Sequence, residues 1–362
     1  MKRIGFLFDK ITDIENIKMA HKMARMDKTF YREVKMVDKD IDYYAKQIQE
    51  MLINKTYVVS EYRKQIINDK GKERTLMKLQ YYPDRIIQWA IMLQLEPIFI
   101  KTFCTHTCAS IPNRGIDRAW TLVRKYMKDQ KGTKYCLKLD VRKFYDNIDH
   151  TILKQKLRHK IKDNDLLELL DTIIDSYDGE KGVPIGSYLS QYFANFYLSD
   201  LDHYIKEDLS VKYVVRYMDD IVIFADSKER LHKILDSIKI FLANEKLELK
   251  NNYQIFPTGI RGVDFIGFRF FYHFILLRKK TAKRLKRLCL NIKYVEFEDF
   301  CAINSYNGWL QMCNSYHLRE KYIIPLRDKI FAYYFSILTH DKIASFNRYT
   351  YKFNMKRGIK AF

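Results

Sequence analysis

Glycine and proline are scarce, with 12 Gly and 6 Pro in 362 residues. That argues against long flexible linkers. No apolar run reaches the roughly 18 residues that a membrane helix needs, so no membrane partner is expected. MKRIGFLFDKITD soon meets charge, so no signal peptide is expected; the expectation is a cytoplasmic protein, bacterial or phage-encoded, with free thiols. Its six cysteines are spread along the sequence. Cys104-X-His106-X-Cys108 offers half of a zinc site, but no second CxxC or HxxxH completes it nearby. Internal repeats and low-complexity tracts are lacking too. Acidic residues are few beside basic ones, 44 against 65, which leaves a net charge of +21.

A chain this basic suits a polyanion. Phosphate backbones fit best, since Lys and Arg release condensed counterions on binding. Hydrophobic residues make up 47% and charged residues 30%, which indicates a well-buried globular protein. Aromatics reach 15%, with 27 Tyr and 23 Phe. The length suggests two or three subdomains around a shared core.

Residues 1–56 read as two helices. Tyr57 to Ile67 is β-rich; a turn at Asn68-Asp69-Lys70-Gly71 and a second strand near Arg74 to Leu79 complete a hairpin signature. Helices follow at 85–99 and 116–127. A short strand, 134–139, ends on Asp140. Residues 150–176 are helical, and a Gly-Pro loop (Gly182-Val183-Pro184-Ile185-Gly186) leads into one long apolar helix, 188–205. A hairpin comes next, 212–217 and 221–224, with its turn at Met218-Asp219-Asp220. Then come a helix at 228–245, a β pair within 247–277, and helices from Lys279 on. The fold class expected is α+β.

Two features carry chemistry. In VKYVVR-YMDD-IVIFA, β-branched and aromatic flanks put Asp219 and Asp220 at a tight turn between strands. Adjacent carboxylates at an apolar hairpin tip repel each other and lose solvation, which is costly unless a cation sits there. In LKLDVRKFY, another apolar strand delivers Asp140 at its end. Side by side, the two strands would bring Asp140 close to Asp219. Hard oxygen ligands of this kind suit Mg²⁺.

These residues match a family. YMDD in a β-hairpin, with LKLDVRKFYDNIDH upstream, resembles the palm of reverse transcriptases. GVPIGSYLSQYFANFYLSDLDHYI is similar to the family's loop-helix, GVDFIGFRFF to its primer grip, and KGKERTLMKLQYYPDRIIQWAI to its fingers. The resemblance covers roughly residues 57–290 in the family's order. It implies a right-hand polymerase: fingers over 1–135 with part of 150–180, palm over 136–275, and a helical thumb over 276–362. It further implies an RNA-directed DNA polymerase with two Mg²⁺ ions (Mn²⁺ able to substitute). Asp140, Asp219 and Asp220 would be catalytic, with Asp140, Val141, Asp219 and Asp220 as metal positions. Its partners would be an RNA template, a DNA or RNA primer and dNTPs, with a dedicated non-coding RNA or accessory protein as a further candidate.

By the same resemblance, Tyr145 lies beneath the sugar and excludes a 2′-hydroxyl. Lys72 and Arg74 grip the triphosphate, Ile185 and Gly186 face the nascent pair, and Gln191 is a further nucleotide-binding position. Arg278, Lys280, Lys283, Arg284 and Arg287 form a basic thumb helix, the spacing 280/283/284/287 putting four charges on one face. Many relatives carry Gln-Gly and Ser-Pro where this chain has Ile185-Gly186 and Ser190-Gln191. That pattern resembles diversity-generating retroelement and unknown-group, defence-associated bacterial enzymes. It implies antiphage defence, with diversity generation or an inactive nucleic-acid-binding scaffold as alternatives. A group II intron maturase or a retroviral enzyme is not expected. The family's pyrophosphate-protonating lysine has no counterpart in register, Lys250 being the nearest.

Overall fold

The structure, a computed structural model, describes residues 3–69 and 72–338. The chain divides into two compact units at the Pro257/Thr258 junction. The first opens with four helices, α1 (Phe8–Thr12), α2 (Ile14–Ala24), α3 (Arg32–Lys39) and α4 (Ile41–Ile53), where sequence suggested two. Aspartates set the breaks. Asp13 caps α2 by accepting from the Glu15 and Asn16 N–H groups, and Asp40 caps α4 by accepting from Tyr43 N–H, each satisfying donors that a helix start leaves orphaned.

Strands β1 (Arg63–Asp69) and β2 (Lys72–Lys78) form a separate antiparallel hairpin, in register from Arg63↔Lys78 to Asp69↔Lys72. The first strand starts later than the β-rich run at Tyr57. Tyr57 OH (2.7 Å) and Ser60 N–H (3.2 Å) donate instead to the buried Asp84 carboxylate, which holds that stretch out of the ladder. Helix α5 (Ile86–Thr102) is buried on most sides, and α6 (Gly115–Tyr126) follows it.

The central sheet has four antiparallel strands in the order β4-β5-β3-β6: β3 (Tyr135–Asp140), β4 (Tyr213–Tyr217), β5 (Asp220–Ala225) and β6 (Gln254–Pro257). Helices α7 (His150–Lys160), α8 (Asn164–Asp175), α9 (Tyr188–Tyr197), α10 (Ser199–Lys206) and α11 (Lys228–Asn244) complete the unit. The apolar run at 188–205 is two helices, broken at Leu198, whose backbone (φ −90°, ψ 1°) leaves the helical region. Leu231, Ile234, Leu235, Ile238 and Leu242 make the buried stripe of α11, a 3.6-residue pattern. That stripe and the buried faces of β3 and β5 belong to one core.

The second unit begins with the short helix α12 (Thr258–Arg261) and a three-stranded meander, β7 (Val263–Phe265), β8 (Phe268–Phe270) and β9 (Ile275–Leu277). Residues 258–275, grouped by sequence with 136–257, thus fall in this unit. Gly267 turns β7 into β8 at φ +91°, and a Cβ there would sit 2.2 Å from the Trp309 ring, so only glycine fits. Helices α13 (Lys279–Asn291), α14 (Phe297–Gln311), α15 (Tyr316–Leu318) and α16 (Arg327–Leu338) follow. Helices and antiparallel sheets in these proportions make an α+β fold. Among the described residues no helix is long and apolar enough to cross a membrane.

Candidate active site

The ladder between β3 and β5 pairs Asp140 directly with Asp220, and the β4–β5 ladder closes with Tyr217↔Asp220. Met218 and Asp219 are therefore the two residues of the hairpin turn. Met218 takes φ +56°, an uncommon conformation for a long side chain. Val141 N–H donates to the Asp219 carbonyl at 3.2 Å. The sequence elements that each carried an aspartate thus meet at one end of one sheet, with Val141, fully buried, beside them.

Crowding shows in the electrostatics. Burial, then the neighbouring Asp140 charge, pushes the Asp219 carboxyl up to about 6. Burial also pushes Asp220 up to about 6, against the pull of Lys138, with Asp140 and Asp219 adding to the rise. Two lysines offset the negative charge. Lys250 Nζ lies 2.5 Å from Asp140 Oδ1, and Lys138 Nζ lies 3.4 Å from Asp220 Oδ2. The backbone N–H of Lys250 donates to the Asp140 carbonyl at 2.8 Å, so the lysine that sequence left out of register is tied to the site twice.

Among the described residues no three His, Cys, Asp or Glu side chains close around a common point. Asp140 and Asp220 engage lysines instead. The donor set nevertheless fits a hard divalent cation. Asp220 Oδ1 is buried and accepts no hydrogen bond, a cost that a cation would relieve. Cys104 and Cys108 offer a poorer metal site, because burial pushes their thiols up to about 11 and about 12, whereas zinc binds the thiolate.

The structure brings Tyr145 into this group. It begins a short 3-10 turn, is half-buried, and its hydroxyl donates to Met218 Sδ at 3.6 Å. Ile185 and Gly186 lie in the loop before α9. The Ile185 carbonyl accepts from Met77 N–H of β2 at 3.1 Å, and Gly186 takes φ +119°. Gln191 sits in the first turn of α9, half-buried. Lys72 and Arg74 are placed on β2 by their backbone; their side chains lie outside the described part.

In the second unit, α13 buries Leu285 and Cys289 and exposes Lys280, Lys283 and Arg287, with Arg284 half-exposed. Arg278, the residue before α13, is engaged by Asp264, Nε to Oδ1 at 2.6 Å.

Sequence reading missed Lys138, and also a buried group behind the turn: Arg216, Asp202 and Asn195. One signal was available. Arg216 interrupts the otherwise apolar flank of YMDD.

A family model described as "Reverse transcriptase (RNA-dependent DNA polymerase)" matches residues 62–270. Protein YkfC of Escherichia coli (strain K12) is 27% identical over 134 residues, 34% of this chain and 35% of that protein. The group II intron-encoded protein LtrA of Lactococcus lactis subsp. cremoris is 26% identical over 169 residues, 44% of this chain and 28% of that protein. A putative COX1/OXI3 intron 2 protein of Saccharomyces cerevisiae is 26% identical over 189 residues, 47% and 21% of the two chains. The matches thus span at most 35% of these relatives' own length. Two of the three are named for introns, the set that sequence reading placed at a distance. Among solved structures, an apo telomerase from Candida tropicalis, truncated from its C-terminal domain, aligns with a TM-score of 0.46 at 13% identity, covering 64% of this chain and 59% of that one.

Proposed function

The chain belongs to the reverse transcriptase (RNA-dependent DNA polymerase) family, and from that premise we propose that it adds deoxynucleotides to a primer 3′-hydroxyl on an RNA template. The observation that carries the reading is the Asp140↔Asp220 register with Asp219 in the adjoining turn. These carboxylates and Val141 would hold two Mg²⁺ ions, with Mn²⁺ able to substitute. When bound, such ions activate the attacking oxygen and offset charge on the leaving group. The protein's own work is positioning and neutralisation. Tyr145, against the turn, is the residue that reads the sugar. Lys72 and Arg74 would hold the triphosphate, for which a planar guanidinium is suited. Ile185, Gly186 and Gln191 would line the nascent pair, and Lys280, Lys283, Arg284 and Arg287 would track a duplex backbone. Arg278 is the weakest member of that set, being held by Asp264.

The test is primer extension by the purified chain on an RNA template with Mg²⁺. DNA made from dNTPs, and little product from NTPs, is expected. Failure to extend RNA- and DNA-primed templates alike, or a preference for NTPs, overturns the reading. For the biological role we favour antiphage defence, on the Ile185-Gly186 and Ser190-Gln191 pattern alone. A template/variable repeat pair beside the gene would move the role to diversity generation.

A further inference from the structure

Arg216 is fully buried in β4, at 0% exposure, among Val214, Val215 and the core of the central sheet. A guanidinium carries five donors and does not shed its charge, so burial is tolerable only where those donors and that charge are answered. Nε and Nη2 donate to the Asp202 carboxylate at 2.8 and 2.6 Å. Nη2 also reaches the Asn195 carbonyl at 3.4 Å, and Nη1 donates to Asn195 Oδ1 at 3.2 Å. Asp202 is itself buried, accepts from Thr107 Oγ1 at 2.7 Å and has His106 Nε2 at 3.5 Å. Asn195 is anchored in turn by donating to the Ala109 carbonyl at 2.8 Å. Helices α9 and α10 and the segment 106–109 therefore converge on one side chain.

One of its bonds leaves this frame. Arg216 Nη1 donates to the Met218 carbonyl at 3.0 Å. That carbonyl belongs to the planar peptide joining Met218 to Asp219, so holding it fixes where the Asp219 backbone begins. The turn has no glycine to make its left-handed residue easy, and an outside hold is the natural means of keeping it. Stability alone is a weak reason for the arginine, because apolar residues often replace a buried ion pair at no loss.

We propose that Arg216 is a positioning residue: through the Met218 carbonyl, braced by Asp202 and Asn195, it sets the place of Asp219 for divalent-cation binding. The inference rests on Asp219 being a metal ligand.

The experiment measures Mn²⁺ binding to the purified chain by electron paramagnetic resonance, beside the Mg²⁺ requirement of primer extension. Arg216→Lys keeps the charge opposite Asp202 but lacks the fork that spans Asp202 and Met218. A loss of Mn²⁺ affinity of about tenfold or more is expected, in the range found for groups that orient metal ligands, with a matching rise in Mg²⁺ requirement and the dNTP KM at saturating Mg²⁺ changed by less than about twofold. Thr107→Val removes a bond to the same Asp202 without touching the Met218 contact. It should lower the thermal midpoint and leave Mn²⁺ affinity unchanged. Should Arg216→Lys fail to fold, the neutral pair R216M/D202N, which strands no buried charge, is read in the same way. Unchanged Mn²⁺ affinity in either folded Arg216 variant, or an equal loss in Thr107→Val, overturns the proposal. Asp219→Asn separates the two ideas. If it binds Mn²⁺ like the wild type, the metal-ligand reading fails first, whatever Arg216 does.

Discussion

Among the described residues of the first unit, the antiparallel hairpins β1–β2 and β4–β5 handle charge in opposite ways. In β4–β5 nearly every residue between the strand ends is buried, and three charged groups at or near the turn have ion-pair partners: Asp220 with Lys138, Asp140 with Lys250, Arg216 with Asp202. In β1–β2 most described residues are exposed, among them Arg63, Lys64, Gln65, Glu73, Thr75 and Lys78. A lone two-stranded hairpin is marginal in water, and the bond from Met77 N–H to the Ile185 carbonyl is one of its ties to the rest of the unit. The lesson is that a buried frame fixes charge in space at the cost of desolvation, while an exposed hairpin keeps charge cheap and available. The first suits the metal site proposed for the carboxylates; the second suits the proposed grip on a triphosphate.

The largest effect should come from the buried hairpin. Asp219→Asn or Asp140→Asn should reduce DNA synthesis at least about a thousandfold, since metal stabilisation of the transition state is worth several kcal/mol and each 1.4 kcal/mol is about tenfold. Folding should survive Asp219→Asn. The Asp219 carboxyl titrates near 6, above its ordinary value, so its contribution is present at low pH and is lost as pH rises through about 6. In chelator, then, the asparagine variant should melt above the wild type at pH 7.5, and the gap should close towards pH 4. Thermal melts at the two pH values check this. A variant that melts lower at pH 7.5, or that still polymerises, would break the contrast at its buried end.

Next is Tyr145→Ala. A ring whose hydroxyl bonds Met218 Sδ would, on the proposed function, read the sugar by shape, and shape discrimination of this kind is worth roughly 10- to 200-fold. Paired incorporation of one ribonucleotide and its deoxy counterpart should show the preference for the deoxy sugar falling into that range of loss. Unchanged selectivity in an active variant would assign the gate elsewhere. At the exposed hairpin, removing Lys72 and Arg74 together should raise the dNTP KM by roughly tenfold with kcat within a few-fold, because charge pairs at an exposed surface contribute roughly 0.2–1 kcal/mol each. A fall in kcat with KM constant would mean that these cations act on the transition state, and that the exposed hairpin is not the looser partner inferred here.

The sites differ in how legible they were. Asp140, Asp219 and Asp220 could be read because Asp140 and Asp220 sit at the ends of short apolar strands and Asp219 in the turn beside them, a local pattern. That Asp140 faces Asp220 is a matter of register between strands about 80 residues apart in sequence, and it follows only once the sheet exists. Lys250 meets Asp140 across a separation of 110 residues, which no local pattern encodes. Arg216 stood in plain view in VVRYMDD, but its partners Asn195 and Asp202 lie on α9 and α10, drawn in sequence as one helix. The break at Leu198 was hidden because apolar residues continue through it. At the N-terminus the capping aspartates Asp13 and Asp40 were visible signals, and weighing them would have divided two helices into four.

The smallest effect expected is at the junction of the two hairpins, and it concerns fidelity. Ile185 gives its carbonyl to Met77 of the exposed hairpin, while its side chain, half-buried, is aliphatic where the family resemblance would imply a glutamine. An amide can hydrogen-bond sugar or backbone and penalise a misplaced pair, because a buried polar group left unpaired costs roughly 1–3 kcal/mol. An isoleucine supplies shape alone, so a mismatch that fits sterically is penalised less. The Met77 bond uses the Ile185 backbone, and Gly186 keeps its left-handed conformation whichever side chain precedes it, so Ile185→Gln should leave the loop and the carboxylates where they are. Only part of the amide's worth would separate right from wrong pairs. If that part is about 0.7 kcal/mol, misincorporation falls roughly threefold. The measurement is the error spectrum of both proteins on one RNA template at matched extension. A lower error frequency at equal kcat would place selectivity at the junction, between the fixed hairpin and the exposed one. Equal spectra would make Ile185 a packing residue that merely anchors Met77, and would leave selectivity to the roles proposed for Tyr145, Lys72 and Arg74.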